Sequence, residues 1–182
     1  MLTNGEMMYQ IIAVLVLTLT TLFSGCADVT SVTRDAPREV VLDSKAKAYV
    51  SVPPDAKYAQ QSYAGSGRIA AGIVLAEFST KMLNVDIADK KEYFDLALNN
   101  ARRQGYQYLI VPKITRWEDN TVLSGQPSKA TINIRIVDVI SGEIIDSVVI
   151  NSRSSVVRMT DASPEDTLPQ PIQEYVNSLQ IY

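Results

Sequence analysis

The chain has no histidine and a single cysteine, Cys26, in 182 residues. A histidine-based triad, a Cys–His dyad, a zinc site and an internal disulfide are therefore all excluded within it. A surplus of positive charge is also missing. Lys and Arg number 17 against 20 Asp and Glu, for a formal net charge of −3. A nucleic-acid partner needs a basic surface that releases counterions, so none is expected. There is no dinucleotide-binding or Walker glycine spacing, no internal repeat and no low-complexity tract. No metal and no cofactor is expected. What remains is 46% hydrophobic and 20% charged residues, the profile of one globular domain with some extra sequence attached.

The longest uncharged apolar run, residues 11–23, consists of Ile, Ala, Val, Leu, Thr and Phe. It falls short of the roughly 20 residues that span a bilayer and matches the core of a secretory signal. It ends in Leu22-Phe23-Ser24-Gly25-Cys26, which resembles a bacterial lipobox, with Phe23 where Leu is usual and no Lys or Arg in residues 1–10. The resemblance implies that residues 1–25 are a lipoprotein signal peptide. It further implies that the Cys26 sulfur takes a diacylglyceryl group, that cleavage falls before Cys26, and that the new amino group is acylated. Two or more long chains anchor stably where one binds marginally, so the bilayer is a partner through acylated Cys26. Ala27 follows, not the Asp that retains enteric lipoproteins at the inner membrane. The expected location is the outer membrane, with the body facing the periplasm. That body is nearly neutral, and nothing in its linear sequence suggests a polybasic membrane-surface patch.

Residues 26–46 are polar and interrupted and show no helical or strand period, so they read as the lipidated cysteine and a flexible tether. Such a tether spans at most about 65 Å extended and averages roughly 25 Å as a coil. Val40-Val41-Leu42 is the exception, a candidate edge strand. From residue 47 to 182 a domain is legible. Tyr49-Val50-Ser51-Val52 forms a strand that stops at Pro53-Pro54. Beyond Gly65-Ser66-Gly67, residues Ile69, Ile73, Val74, Phe78 and Met82 share one helical stripe. Asn84-Val85-Asp86-Ile87 is a short strand. Asp89 and Glu92 suit a capping pair for a helix carrying Phe94, Ala97, Leu98 and Ala101, closed by Arg102, Arg103 and Gly105. Tyr106 to Trp117 is a long strand with an edge or bulge at Pro112. Ile132, Ile134 and Ile136 alternate with Asn133 and Arg135, and Ser141-Gly142 turns this strand back on residues 143–151. Pro169 and Pro171 introduce a terminal helix bearing Ile172, Tyr175, Val176 and Leu179.

The order β-α-β-α-β-β-β-α predicts an α/β fold of the α+β sandwich kind, with a single mixed β-sheet and helices packed on it. The lipobox, Ser66 to Leu75, Tyr108 to Asp119 and Ile136 to Gly142 together resemble a family of proteobacterial envelope lipoproteins, the domain of unknown function 4823. That resemblance covers nearly the whole chain after residue 26 and implies no activity and no catalytic residues.

Several residues are candidates for binding. Gly65-Ser66-Gly67-Arg68 ahead of a helix offers amides and a guanidinium to an anion. Tyrosines bring rigid area with a polar tip, which nominates Tyr58 and Tyr63 beside Arg68 for an envelope-protein partner. Trp117 and Glu118 at the end of the long strand join them. The leading expectation is a non-catalytic accessory module that binds another envelope component. The alternatives are a carboxylate-dependent hydrolase of cell-wall glycan, which needs a second acid facing Glu118 across a cleft, and a binder of a small ligand or lipid in an apolar pocket.

Overall fold

The computed structural model describes residues 29–34, 40–58, 61–120, 125–155 and 162–182. In chain order the strands and helices are β1 (Val29–Arg34), β2 (Val41–Leu42), β3 (Lys47–Val52), β4 (Ala56–Tyr58), β5 (Gln61–Tyr63), α1 (Ser66–Phe78), β6 (Asn84–Lys91), α2 (Phe94–Arg103), β7 (Tyr108–Glu118), β8 (Lys129–Asp138), β9 (Ile144–Arg153), α3 (Pro169–Asn177) and β10 (Gln180–Ile181). A 3-10 turn, Pro164–Thr167, leads into α3. The main sheet has six strands in the order β1-β9-β8-β7-β3-β6. Its β7, β3 and β6 run parallel, whereas β1, β9, β8 and β7 are joined antiparallel. The expected mixed sheet with helices packed on it is the fold observed.

Topology decides which face each helix covers. The chain leaves β3 for its outer neighbour β6 and then crosses back over β3 to β7. Crossovers between parallel strands are right-handed, so the two moves, made in opposite directions, place α1 and α2 on opposite faces. The burial pattern agrees. Val50, Ile110, Ile132, Ile134, Ile136, Val148 and Ile150 point to the face under α1 and α3 and are all nearly inaccessible. Tyr49, Leu109 and Val137 point the other way and are buried beneath α2, whose inward residues are Ala97, Leu98 and Ala101. The antiparallel strands are linked by a hairpin and need no crossover helix. Among the described residues the outer face of β1, β9, β8 and the far half of β7 is therefore left open.

Several expectations are corrected. The tether proposed for residues 26–46 is not one uninterrupted linker. Val29–Arg34 is an edge strand paired antiparallel with β9 from Val29↔Arg153 to Arg34↔Val148. Its polar composition suits a sheet edge, and the pairing is too distant in sequence to show as a local period. Val41–Leu42 pairs in parallel with Gln180–Ile181, an unexpected terminal strand. The loop expected around Tyr58 and Tyr63 is a small hairpin of β4 and β5.

The capping pair Asp89–Glu92 is not formed. Strand β6 runs on to Lys91, and α2 begins only at Phe94 with Asp95 in its first turn. Glu92 is drawn inward instead and accepts hydrogen bonds from Tyr49 Oη at 2.9 Å and Asn100 Nδ2 at 2.5 Å. The stripe on α1 is rotated. Ile69 is 40% exposed while Ala70 and Ala71 are fully buried, because small residues let the helix lie close to the sheet. Pro112 sits two residues past the last pairing of β7 with β3, Val50↔Ile110, where its missing N–H costs no ladder bond on that side. The bulge itself comes later in the strand, between Ile114 and Arg116.

Candidate functional site

The open outer face is built from side chains that alternate strand by strand. Its end rung pairs Arg153 with Lys129, and Lys129 with Glu118. The next rung pairs Ser31 with Asn151, Asn151 with Thr131, and Thr131 with Arg116. The bulge at Thr115 sets this register. Without the extra residue Arg116 would turn inward and Trp117 outward, since a one-residue shift exchanges the faces.

The rungs are tied together by hydrogen bonds. Thr131 Oγ1 donates to Asn151 Oδ1 at 2.9 Å, and Asn151 Nδ2 donates to Ser31 Oγ at 3.3 Å. Glu118 Oε1 accepts from Arg116 Nε at 2.6 Å and lies 2.5 Å from its Nη2, while Oε2 is 3.5 Å from Lys129 Nζ. Between the rungs lies a groove of about 410 Å³, lined by Ser31, Arg116, Lys129, Thr131, Asn151 and Arg153 among others. These are cations, hydroxyls and an amide, a lining suited to an anionic or polyhydroxylated ligand.

The residues nominated from the sequence divide. Glu118 lies at the groove, 8% exposed, and its described partners are the two cations rather than a second carboxylate. Trp117 is corrected from a surface contact to a core residue at 3% exposure, because it pairs with Ala130 on the helix-covered face. Arg68 is exposed, and its guanidinium donates to the Ala88 carbonyl. Tyr63 is half-buried against the core, and its carbonyl accepts from Ser66 Oγ at 2.7 Å. The hydroxyl of Ser66 thus clamps the β4–β5 hairpin onto α1, with the Ala56 amide donating back to it at 2.8 Å. Cys26 lies outside the described residues, as does the side chain of Tyr58. Among the described residues no three His, Cys, Asp or Glu side chains gather as metal ligands would. No helix among them is long and apolar enough to cross a membrane.

Sequence reasoning missed the groove cations Arg116, Lys129 and Arg153. The available signal was alternation, since Arg135 already marked a wet face of β8. The register that gathers cations from three strands was not readable.

A family model matches residues 41–179. The chain belongs to the DUF4823 family, described as a domain of unknown function. This DUF4823 chain is similar in fold to the PelC dodecamer from Paraburkholderia phytofirmans, with a TM-score of 0.64 at 19% identity over 85% of this chain and 100% of that one. It is similarly related to a leucine-to-methionine variant of that dodecamer from the same organism, with a TM-score of 0.62 at 17% identity and the same coverage. No curated protein matches it.

Proposed function

We propose that this DUF4823 chain is an outer-membrane lipoprotein, anchored through acylated Cys26, whose α+β domain is a non-catalytic module binding another component of the cell envelope. The observation that carries the reading is the position of the lipobox cysteine, three residues before the first strand of the sheet. An anchor there holds the sheet's end against the bilayer instead of leaving it on a long leash. The opposite end, where β3 and β7 begin, exposes large apolar side chains: Val41 at 58%, Leu83 at 75%, Ile140 at 84% and Tyr182 at 75%. Apolar groups displayed away from the anchor favour a protein contact over catalysis.

The test is the substitution Cys26→Ser followed by cell fractionation. The expected result is a soluble protein with unchanged circular dichroism, and retention in the membrane fraction would contradict the anchor. A second copy of the chain is a further candidate partner, because a chain of this fold was solved as a dodecamer. Sedimentation of the detergent-extracted protein above the monomer mass supports that reading, and a monomer overturns it.

A further inference from the structure

The open face concentrates positive charge in a chain whose formal net charge is −3. Lys113 and Arg116 on β7, Lys129 and Arg135 on β8, and Arg153 on β9 all occupy outward positions there, with Glu118 the carboxylate among them. These cations are spread over 41 positions, 113–153, and the fold alone brings them together. Three of them, Arg116, Lys129 and Arg153, line the groove beside Ser31, Thr131 and Asn151. Glu118 is shared between Arg116 and Lys129. Arg153 is exposed and makes no ion pair among the described residues.

Arg153 is also the Cα partner of Val29, the first residue of β1. Cys26 lies three residues earlier, and three residues reach at most about 10 Å. The cationic end of the sheet and the lipid attachment point are therefore held at about the distance over which charge acts through saline, also about 10 Å.

We propose that this groove takes the phosphate headgroup of an anionic phospholipid in the membrane that holds Cys26, so that the domain rests on the bilayer by this end of its open face. The inference rests on the lipoprotein reading above and specifies what the anchored surface meets. The guanidinium fork of Arg153 matches phosphate oxygens two at a time, and Arg116, whose Nε and Nη2 hold Glu118, adds positive charge beside it. The Ser31 hydroxyl and the second Nδ2 proton of Asn151 supply further donors to the same oxygens or to a headgroup polyol, while Thr131 holds Asn151 in place. Lipid is favoured over a free anion because acylated Cys26 presents the groove to the headgroup layer continuously and makes binding effectively intramolecular.

The experiment uses the lipidated full-length product, with Thr33→Cys on the open face or Gln173→Cys on α3 as the labelling site. Acylation consumes the Cys26 sulfur, so each variant carries one free thiol for a fluorophore. Each is reconstituted into vesicles of phosphatidylcholine, with or without phosphatidylglycerol, that carry a headgroup quencher. Quenching at position 33 is expected to rise by about twofold or more with phosphatidylglycerol. It is expected to return to the phosphatidylcholine level with Arg153→Glu, and position 173 is expected to stay unchanged. Arg153 is exposed and unpaired among the described residues, so its reversal leaves the fold intact, which a thermal melt verifies.

Equal quenching in both vesicle types, or indifference to Arg153→Glu, overturns the inference. Loss of the effect with inorganic phosphate at constant ionic strength assigns the groove to a free anion and overturns it as well. Displacement by polygalacturonate does the same in favour of an acidic glycan. A product with two reactive thiols that fails to float with vesicles overturns the lipoprotein reading itself, which separates that failure from this one.

Discussion

Tyr175 donates its phenolic proton to Asp146 Oδ2 across 2.8 Å, with the tyrosine 1% and the aspartate 5% exposed. Arg34 Nε stands 3.7 Å from the same oxygen, and its guanidinium lies 5.3 Å from the centre of the Tyr175 ring. One carboxylate thus pins α3, β9 and the edge strand β1 together. Phe78 meets Tyr175 edge-on at 6.4 Å and extends the contact to α1. A buried acceptor that loses its donor keeps its desolvation cost. Tyr175→Phe is accordingly expected to lower unfolding stability by about 1–3 kcal/mol, read from urea titrations of near-ultraviolet circular dichroism. A variant as stable as the parent would show that Arg34 alone satisfies Asp146.

Two glycines of α1 separate close approach from helix propensity. A Cβ on Gly67 would stand 2.2 Å from the Pro53 carbonyl oxygen, which is backbone and cannot yield, whereas a Cβ on Gly72 meets nothing within 4 Å. Gly67→Ala is expected to destabilise by about 1–3 kcal/mol through overpacking. Gly72→Ala is expected to be neutral or to stabilise by up to about 1 kcal/mol. Thermal melts of the two variants check the pair, and the order must not reverse.

Alkaline pH is expected to weaken the fold through its tyrosines. Burial, and then the hydrogen bond to Asp86, pushes Tyr106 up to about 12. Burial followed by the neighbouring carboxylates raises Tyr49 beside Glu92 and Tyr175 beside Asp146 still further. A group whose folded value is raised contributes stability in full below its unfolded value, near 10, and loses it as the pH climbs through the folded one. The urea midpoint should therefore hold up to about pH 10 and then fall. Tyrosinate absorbance should show these rings ionising only on unfolding. Tyr49→Phe should flatten the decline.

The β8–β9 turn carries the opposite sign. Asp138 Oδ1 accepts from the Ser141 amide at 2.8 Å and the Ser141 hydroxyl at 3.0 Å. The amide bond is the main reason its carboxyl is held below the usual range, with burial opposing it. Its contribution is present above the unfolded value, about 4, and is lost as pH falls through the folded one. Asp138→Ala should therefore lose stability relative to the parent at neutral pH and converge with it in strong acid. A constant difference across that range would show that the turn does not depend on the charge.

Much of the architecture follows from local period. The alternating isoleucines of β8, the stripe of α3 and the Ser141-Gly142 turn appear in the structure as read. Elements made by distant partners do not show in this way. Val29–Arg34 has apolar side chains only at Val29 and Val32, and Val32 is 39% exposed. Only its ladder to β9 identifies it as a strand. Glu92 has the right spacing for a cap, yet the hydroxyl of Tyr49, 43 residues away, takes its carboxylate. The groove is the same case on a larger scale. Arg116 faces outward only because of the bulge at Thr115, and neither bulge nor register is encoded in hydrophobic period.

The anchor depends on the chemistry of Cys26, and mass spectrometry of the protein extracted from membranes measures it directly. The predicted species begins at Cys26 and carries a diacylglyceryl thioether and an amide-linked acyl chain. A free thiol at Cys26 with residues 1–25 still attached would contradict the anchor, and with it the orientation of the groove toward the bilayer.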